Sequence, residues 1–244
     1  MERESLYTHR AELYDAIYDF KPYPAEAERL RELLSQRGVE EGSRVLDAAC
    51  GTGSHLLQLR RWYRVAGFDL HAGMLEIARR KLPGVELFSA DMADFRVEEP
   101  FDALLCLFSS IGYLLSEERL EAAAGCFARA LRPGGVLVVE PFLSRQEYKP
   151  GRLVLQSADG EKLKCARACI PGLDGDRAVI DYHWLVLRSG QAAVEHFTER
   201  HELRLCSRET MTEIFDRAGF AVSHEPRGLV PGRGLLVARR REAG

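Results

Sequence analysis

Asp47-Ala48-Ala49-Cys50-Gly51-Thr52-Gly53 closes an apolar run that begins at Arg44, and its reading decides how the other residues of this 244-residue chain are placed. An acid ending a short apolar strand, followed by two glycines one residue apart, marks a tight turn from a buried strand into a helix that starts at Ser54. Without a Cβ, Gly51 and Gly53 let the backbone turn sharply and come close to a ligand. Working outward, 24–37 carries Ala27, Leu30, Leu33 and Leu34 on one helical face, with Pro24 in its first turn and Gly38 at its exit. Segments 65–70 and 85–88 read as strands on either side of a helix over 71–81. Residues 101–108 are apolar throughout except Asp102, which predicts a strand buried on both faces. A helix over 120–131 then leads through the turn Arg132-Pro133-Gly134-Gly135 into a last apolar strand, 136–141. Strand and helix in alternation with short joins predict a parallel sheet covered on both faces.

The texture changes after Phe142. Hairpin signals at Asp159-Gly160, 171–176 and Ser189-Gly190 predict antiparallel strands near 152–157, 161–170, 177–188 and 193–206. A helix over 207–218, stopped by Gly219, and strands near 220–225 and 234–239 return to the first pattern. The expected fold is therefore α/β: a doubly wound, mostly parallel, Rossmann-like seven-stranded sheet with an inserted antiparallel β-sheet. The expected division is a cofactor-binding α/β domain with an N-terminal cover over 1–145, the antiparallel insertion on the acceptor side over 146–206, and a return to the α/β domain over 207–244.

Composition excludes several classes of function. With 46% hydrophobic and 29% charged residues and a formal charge of −3, the chain suits a globular protein and offers no basic surface for nucleic acid. No apolar run nears the roughly 20 residues of a membrane-spanning helix. The opening MERESLYTHR has no apolar core of a secretory signal, and six cysteines without paired spacing suit reduced thiols, so a cytoplasmic location is expected. Cys165 and Cys169 share a strand face, but no second ligand pair has zinc-like spacing, so no metal is expected.

A pyrophosphate-binding turn of the form G-x-G-x-x-G would need glycine where Leu56 stands, which disfavours a nicotinamide dinucleotide. The stretch instead resembles motif I of the class I S-adenosylmethionine-dependent methyltransferases, D/E-x-x-x-G-x-G. Further matches follow in order: Asp69 closing the second strand, Asp91-Met92 after the third, 101–108 as the fourth-strand motif, and 131–138 (LRPGGVLV) before the fifth. The resemblance implies that S-adenosyl-L-methionine binds, leaving S-adenosyl-L-homocysteine as product. Asp47, Ala49, Gly51 and Gly53 would form its cradle, Asp69 and Leu70 its ribose site, Asp91 and Met92 its adenine site, and Leu107 its inner wall. A carboxylate suits the ribose because it accepts two hydrogen bonds and donates none.

A narrower resemblance runs over nearly the whole chain, carried by 107–114 (LFSSIGYL), 138–142 (VVEPF), 197–205 around His201, and 231–236 (PGRGLL). It is to the N,N-dimethyltransferases of nucleotide-linked amino sugars in macrolide biosynthesis. Phe142 stands where a double tryptophan is common there, and Leu235-Leu236 where Leu-Phe is. The resemblance places Tyr14 and Tyr23 at the methionine end of the cofactor, under an N-terminal segment that closes over it. Tyr113, Tyr14 and His201 are the candidate catalytic residues, and Tyr113, Glu140, His183 and Arg233 the candidate substrate-binding ones. Tyr113 would orient the acceptor amine, and Arg233, between two glycines, would pair with a substrate phosphate. Packing remains open as the role of Tyr14, His183 and His201. N-methylation of a nucleotide-linked amino sugar is the expected function, with a small-molecule acceptor as partner, no nucleic acid or membrane, and room for a homodimer. O- or N-methylation of another small metabolite, or binding of the nucleoside without turnover, are the alternatives.

Overall fold

A computed structural model describes residues 10–230 and 232–242. Residues 1–9 of the opening stretch, and Pro231 of the 231–236 motif, lie outside the described residues. Helix α1 (Ala11–Ile17) and helix α2 (Tyr23–Ser35) precede strand β1 (Arg44–Ala48), and α3 (Ser54–Leu59) leads to β2 (Arg64–Asp69). Helix α4 (Ala72–Lys81), β3 (Glu86–Ser89) and β4 (Phe101–Cys106) follow, then a 3-10 turn (Ser110–Tyr113), α5 (Glu117–Ala130) and β5 (Leu131–Val139). The insertion contributes β6 (Val154–Asp159), β7 (Leu163–Cys169), β8 (Gly172–Asp174), β9 (Arg177–Arg188) and β10 (Glu195–Arg204). Helix α6 (Arg208–Arg217), β11 (Phe220–Glu225) and β12 (Leu235–Arg240) close the chain.

Seven strands form one sheet in the order β11-β12-β5-β4-β1-β2-β3, with β12 antiparallel to both its neighbours and the remaining pairs parallel. Apolar runs were required here because the pleat sends alternate residues to two different cores. Leu46, Ala48, Leu104, Cys106, Leu137 and Val139 pack with α5 and α6 on one face. Val45, Ala103, Leu105, Val136 and Val138 pack with α2 on the other. The chain runs outward from β1 through β2 and β3, then returns to β1's other side for β4 and β5. The order therefore reverses between β1 and β4, where ligands of such sheets bind beyond the strands' carboxyl ends. Among the described residues no helix is long and apolar enough to cross a membrane.

The second sheet, β10-β9-β7-β6 with β8 on β9, is antiparallel as its turn signals require. Two local expectations are corrected. The stretch 171–176 is not all turn, because Gly172–Asp174 pairs with Arg177–Val179 as a short strand of its own. The turn at 132–135 does not precede β5 but bulges from it: Phe101 faces Leu131 and Ala103 faces Val136, so four residues loop out between consecutive pairings. Gly134, at φ +74°, makes that loop possible. Helix α1 packs Leu13 and Ile17 against Cys165, Trp184, Val186 and Phe197, so the N-terminal cover sits on the inserted sheet.

Gly53 enters α3 at φ +76°, and a Cβ there would lie 2.6 Å from Leu82 Cδ1 and 3.3 Å from Ala78 Cβ. Gly53→Ala is expected to destabilise the protein by about 1–3 kcal/mol, from the left-handed backbone and the overpacked contact together. Urea denaturation measures this, and an unchanged midpoint would show that α4 does not press on the turn.

Candidate active site

At the switch point the carboxyl ends of β1 and β4 open into a cleft of about 360 Å³. Tyr14, Tyr23, Asp47, Ala49, Gly51, Leu107 and Phe108 are among its walls. The turn that floors it is left-handed three times, at Ala49 (φ 58°), Gly51 (φ 56°) and Gly53 (φ 76°). Asp69 holds the turn in place: its Oδ2 accepts the Gly51 N–H at 2.9 Å and its Oδ1 the His71 N–H at 2.9 Å. Each oxygen keeps a lone pair for a hydroxyl donor. Burial pushes the Asp69 carboxyl above its ordinary range, while the His71 and Gly51 amides pull it back. Asp47 lies deeper and its pKa is pushed up to about 8, first by burial and then by the charge of Asp69. Two buried acids in one cleft favour a ligand that brings positive charge and hydroxyl donors.

Asp91 is held differently. Asp91 accepts the Ala93 N–H at 2.9 Å and pairs with Arg119 Nη2 at 2.6 Å. Burial opposes its charge, but Arg119 and the Ala93 amide together hold its pKa below the usual carboxylate range. Met92 is half-buried next to it, and Leu70 is exposed beside Asp69. These residues fit S-adenosylmethionine: a carboxylate with spare lone pairs for the ribose, an oriented acid for the exocyclic amine, and acidic groups facing a cationic tail.

Sequence reading missed the groups that fasten the cover. Asp15 of α1 accepts the Thr52 hydroxyl at 2.6 Å and pairs with Lys81 at 2.6 Å, tying the helix across the glycine turn to α4. Glu26 of α2 is buried with Lys21 and with His55, whose Nε2 lies 2.7 Å from it. Tyr23 stands edge-on to the His55 ring at 5.0 Å, and Lys21 lies 4.7 Å over Phe108. The one available signal was a glutamate on the buried face of an amphipathic helix, beside Ala27 and Leu30. Tyr14 and Tyr18 share a helical face, as their spacing predicts, with rings 4.7 Å apart. The Tyr14 phenol is raised well above its ordinary pKa, chiefly by burial and then by Tyr18, Tyr23, Tyr113 and Asp69. It therefore serves the site as a neutral hydroxyl, a donor and acceptor rather than a base.

Just after β4, Phe108 and Ser109 are left-handed at φ 52° and 62°, a costly backbone for side chains of this kind. The fully buried Glu140 holds it, its Oε2 accepting the Phe108 N–H at 2.8 Å. The other oxygen, Oε1, has no partner among the described residues. Ser109 Oγ donates to the Pro141 carbonyl at 3.2 Å and accepts from Arg233 Nη1 at 3.1 Å. Gly112 is closely packed: a Cβ there would lie 3.1 Å from Phe142 Cβ and 3.2 Å from Leu203, so those neighbours would have to give way by a few tenths of an ångström. Tyr113 then points its hydroxyl to His201 Nδ1 at 2.8 Å. His183 is not brought to the site. The pleat that turns Tyr182 and Trp184 inward turns His183 outward, where it is exposed and stacks on His196 at 5.9 Å.

Comparison with known proteins bears on this geometry. The family described as "Methyltransferase domain" matches residues 45–135, from the start of β1 into β5. The dTDP-3-amino-3,6-dideoxy-alpha-D-glucopyranose N,N-dimethyltransferase of Streptomyces fradiae is 36% identical over 230 residues, 93% of this chain and 89% of the relative. Among solved structures, DesVI of Streptomyces venezuelae superposes with a TM-score of 0.88 at 35% identity, covering 96% of this chain and 99% of that one. The S-adenosylmethionine-bound CalS10 of Micromonospora echinaspora, an amino pentose methyltransferase, superposes at 0.83 with 31% identity, covering 93% and 96%.

Three outcomes follow from the acid pair. Asp69→Ala is expected to weaken S-adenosylmethionine binding by about 1.5–3 kcal/mol, the range for hydrogen bonds to a charged group. An unchanged dissociation constant in calorimetry would remove Asp69 from the site. A cation binds the ionised form of Asp47, so binding releases a proton below pH 8. Affinity is then expected to fall as pH drops from 8 to 6, by at most about tenfold per unit, and Asp47→Asn should flatten the profile. A flat profile in the unsubstituted protein would place the cation elsewhere. The same linkage makes the unliganded fold less stable as pH rises from about 4 towards 8, because folded Asp47 keeps a proton the unfolded chain has lost.

Proposed function

The chain belongs to the S-adenosylmethionine-dependent methyltransferases, an enzyme family whose cofactor it shares, and on that premise we propose that its acceptor is the amino group of a nucleotide-linked sugar. The observation that carries this reading is Arg233. It reaches from the approach to β12 to Ser109, and its guanidinium lies 5.9 Å from the Phe142 ring centroid. It shares a cavity of about 490 Å³ with Arg208, His224 and Glu147. A planar guanidinium at the rim of an acceptor cavity suits the paired oxygens of a phosphate, whereas a neutral sugar would offer it hydroxyl acceptors but no opposite charge.

When bound, the cofactor supplies an activated methyl on a sulfonium, so the protein has no electrophile to create. Its own residues solve an orientation problem. The neutral Tyr14 hydroxyl faces the cleft from the cover, and Tyr113 presents its phenol from the turn after β4. Arg233 anchors the nucleotide end, so that the amine lies between them. The inserted sheet over 146–206 selects the sugar, since it carries His201 and Leu203 to this side. The reading includes a cytoplasmic location. It also includes a homodimer through the insertion's outer face, where Leu155, Leu185 and Leu187 are exposed.

Mass spectrometry of methyl transfer to a panel of nucleotide amino sugars and simple amines tests the acceptor class. Arg233→Ala is expected to raise KM for the nucleotide-linked acceptor by about 10- to 100-fold while cofactor affinity is unchanged. If an acceptor without phosphate suffered equally, Arg233 would not be the phosphate anchor.

A further inference from the structure

We infer that Glu199 is a positioning residue that sets the tautomer of His201, so that Tyr113, His201 and Glu199 form a relay taking the proton from the methylated amine. The inference rests on the N-methylation proposed above. Glu199 and His201 stand two residues apart on β10, which puts both side chains on one face of the strand. Both are buried, and His201 Nε2 lies 3.2 Å from Glu199 Oε2. On the ring's other side, Nδ1 lies 2.8 Å from the Tyr113 hydroxyl. The Tyr182 ring packs edge-on against the imidazole at 5.6 Å and confines it.

The two atoms stand at ion-pair distance without the alignment of a hydrogen bond, and the negative charge of the carboxylate beside Nε2 favours the imidazole proton there. Nδ1 is then left with its lone pair and must accept from Tyr113. That fixes the direction of the phenol: its hydrogen points to His201 and its lone pairs point away. Tyr113 alone of the three reaches solvent, at 39% exposure, while Glu199 and His201 are at 4% and 7%. The relay thus runs from a buried carboxylate to the exposed Tyr113 side chain in the turn after β4.

The balance of the step is simple. As the nitrogen–carbon bond forms and the sulfur–carbon bond breaks, the electron pair stays on sulfur and the amine becomes an ammonium. The ammonium proton passes to Tyr113 Oη while the phenol's own proton passes to His201 Nδ1. The resulting imidazolium carries protons on both nitrogens beside the Glu199 carboxylate, which stabilises it, and solvent later removes the extra one.

Nitrogen-15 NMR of His201 in the unsubstituted protein reads the tautomer directly, without acceptor and without a variant. The Nε2–H form is expected, and the Nδ1–H form would overturn the inference whatever the protein's activity. Kinetics give the second reading. Glu199→Gln is expected to lower kcat about tenfold or more with acceptor KM within about twofold, and Glu199→Asp to restore much of it. Tyr113→Phe should produce a loss of the same order, and the Tyr113→Phe/Glu199→Gln pair no more than either alone. Additive losses, or an unchanged kcat in Glu199→Gln, would show that the buried pair is only part of the core. A protein that methylates no amino sugar yet holds the Nε2–H tautomer would sink the proposed acceptor and leave the positioning of His201 standing.

Discussion

One carboxylate holds the site together. Asp69 accepts two backbone N–H groups, one from Gly51 in the turn after β1 and one from His71 at the start of α4. Each bond adds to the turn's own backbone hydrogen bonds, Gly53 N–H to the Cys50 carbonyl and Cys50 N–H to the Phe68 carbonyl, both at 2.9 Å. The parallel sheet is what allows one side chain to do this. It aligns the carboxyl ends of β1, β2 and β4 along one edge, with Ala48 beside Phe68 and Asp47 beside Leu105, so residues 18 positions apart in the chain meet. The cradle for the nucleoside is therefore a property of the sheet's register, and the glycines are its local condition.

That arrangement has an electrostatic consequence. Asp47 sits close enough to Asp69, and buried enough, for its pKa to reach about 8. An unliganded cleft with two acids is a high-energy arrangement that the ligand relieves, since a cation both neutralises the pair and displaces a proton. The acids of the cover near the cleft are paired: Asp15 with Lys81 of α4, and Glu26 with Lys21 and with His55 of α3. The tyrosines are what remain to face the cleft, and burial keeps Tyr14 neutral.

Much of the fold was legible because burial on both faces writes itself into sequence as unbroken apolar runs, and because 47–53 allows few conformations other than the one observed. The cofactor cleft was legible for the same reason, as Asp47, Gly51, Gly53 and Asp69 are ends of those runs. Other features left no local trace. Nothing near Thr52 in sequence announces Asp15, 37 residues away. The four-residue bulge in β5 looks like an ordinary turn until Phe101 and Ala103 fix the register around it. His183 shows the limit of reading strands by composition: it lies between two aromatics that do face inward, and only the pleat's parity, set by neighbouring strands, decides that it does not. His201 and Glu199 share the inward parity, yet their pairing with Tyr113 crosses 88 residues.

The insertion also cannot be understood apart from the cover. Leu13 and Ile17 of α1 complete the small core formed by Cys165, Trp184, Val186 and Phe197. Beneath them lies the buried Arg167, which donates to the Tyr18 hydroxyl at 2.7 Å and to Gln156 Oε1 at 2.8 Å. Its guanidinium packs over the Tyr18 and Tyr182 rings at 4.8 and 4.3 Å. Tyr182 in turn confines His201, while Tyr18 packs on Tyr14 in the cofactor cleft. One buried cation thus joins Tyr18, which packs on Tyr14, to Tyr182, which packs on His201. Because α1 is at the same time fastened to Thr52 and Lys81, any displacement of the cover must disturb the inserted sheet as well. The seating of the cover on the glycine turn and on the inserted sheet is, in this chain, one packing event.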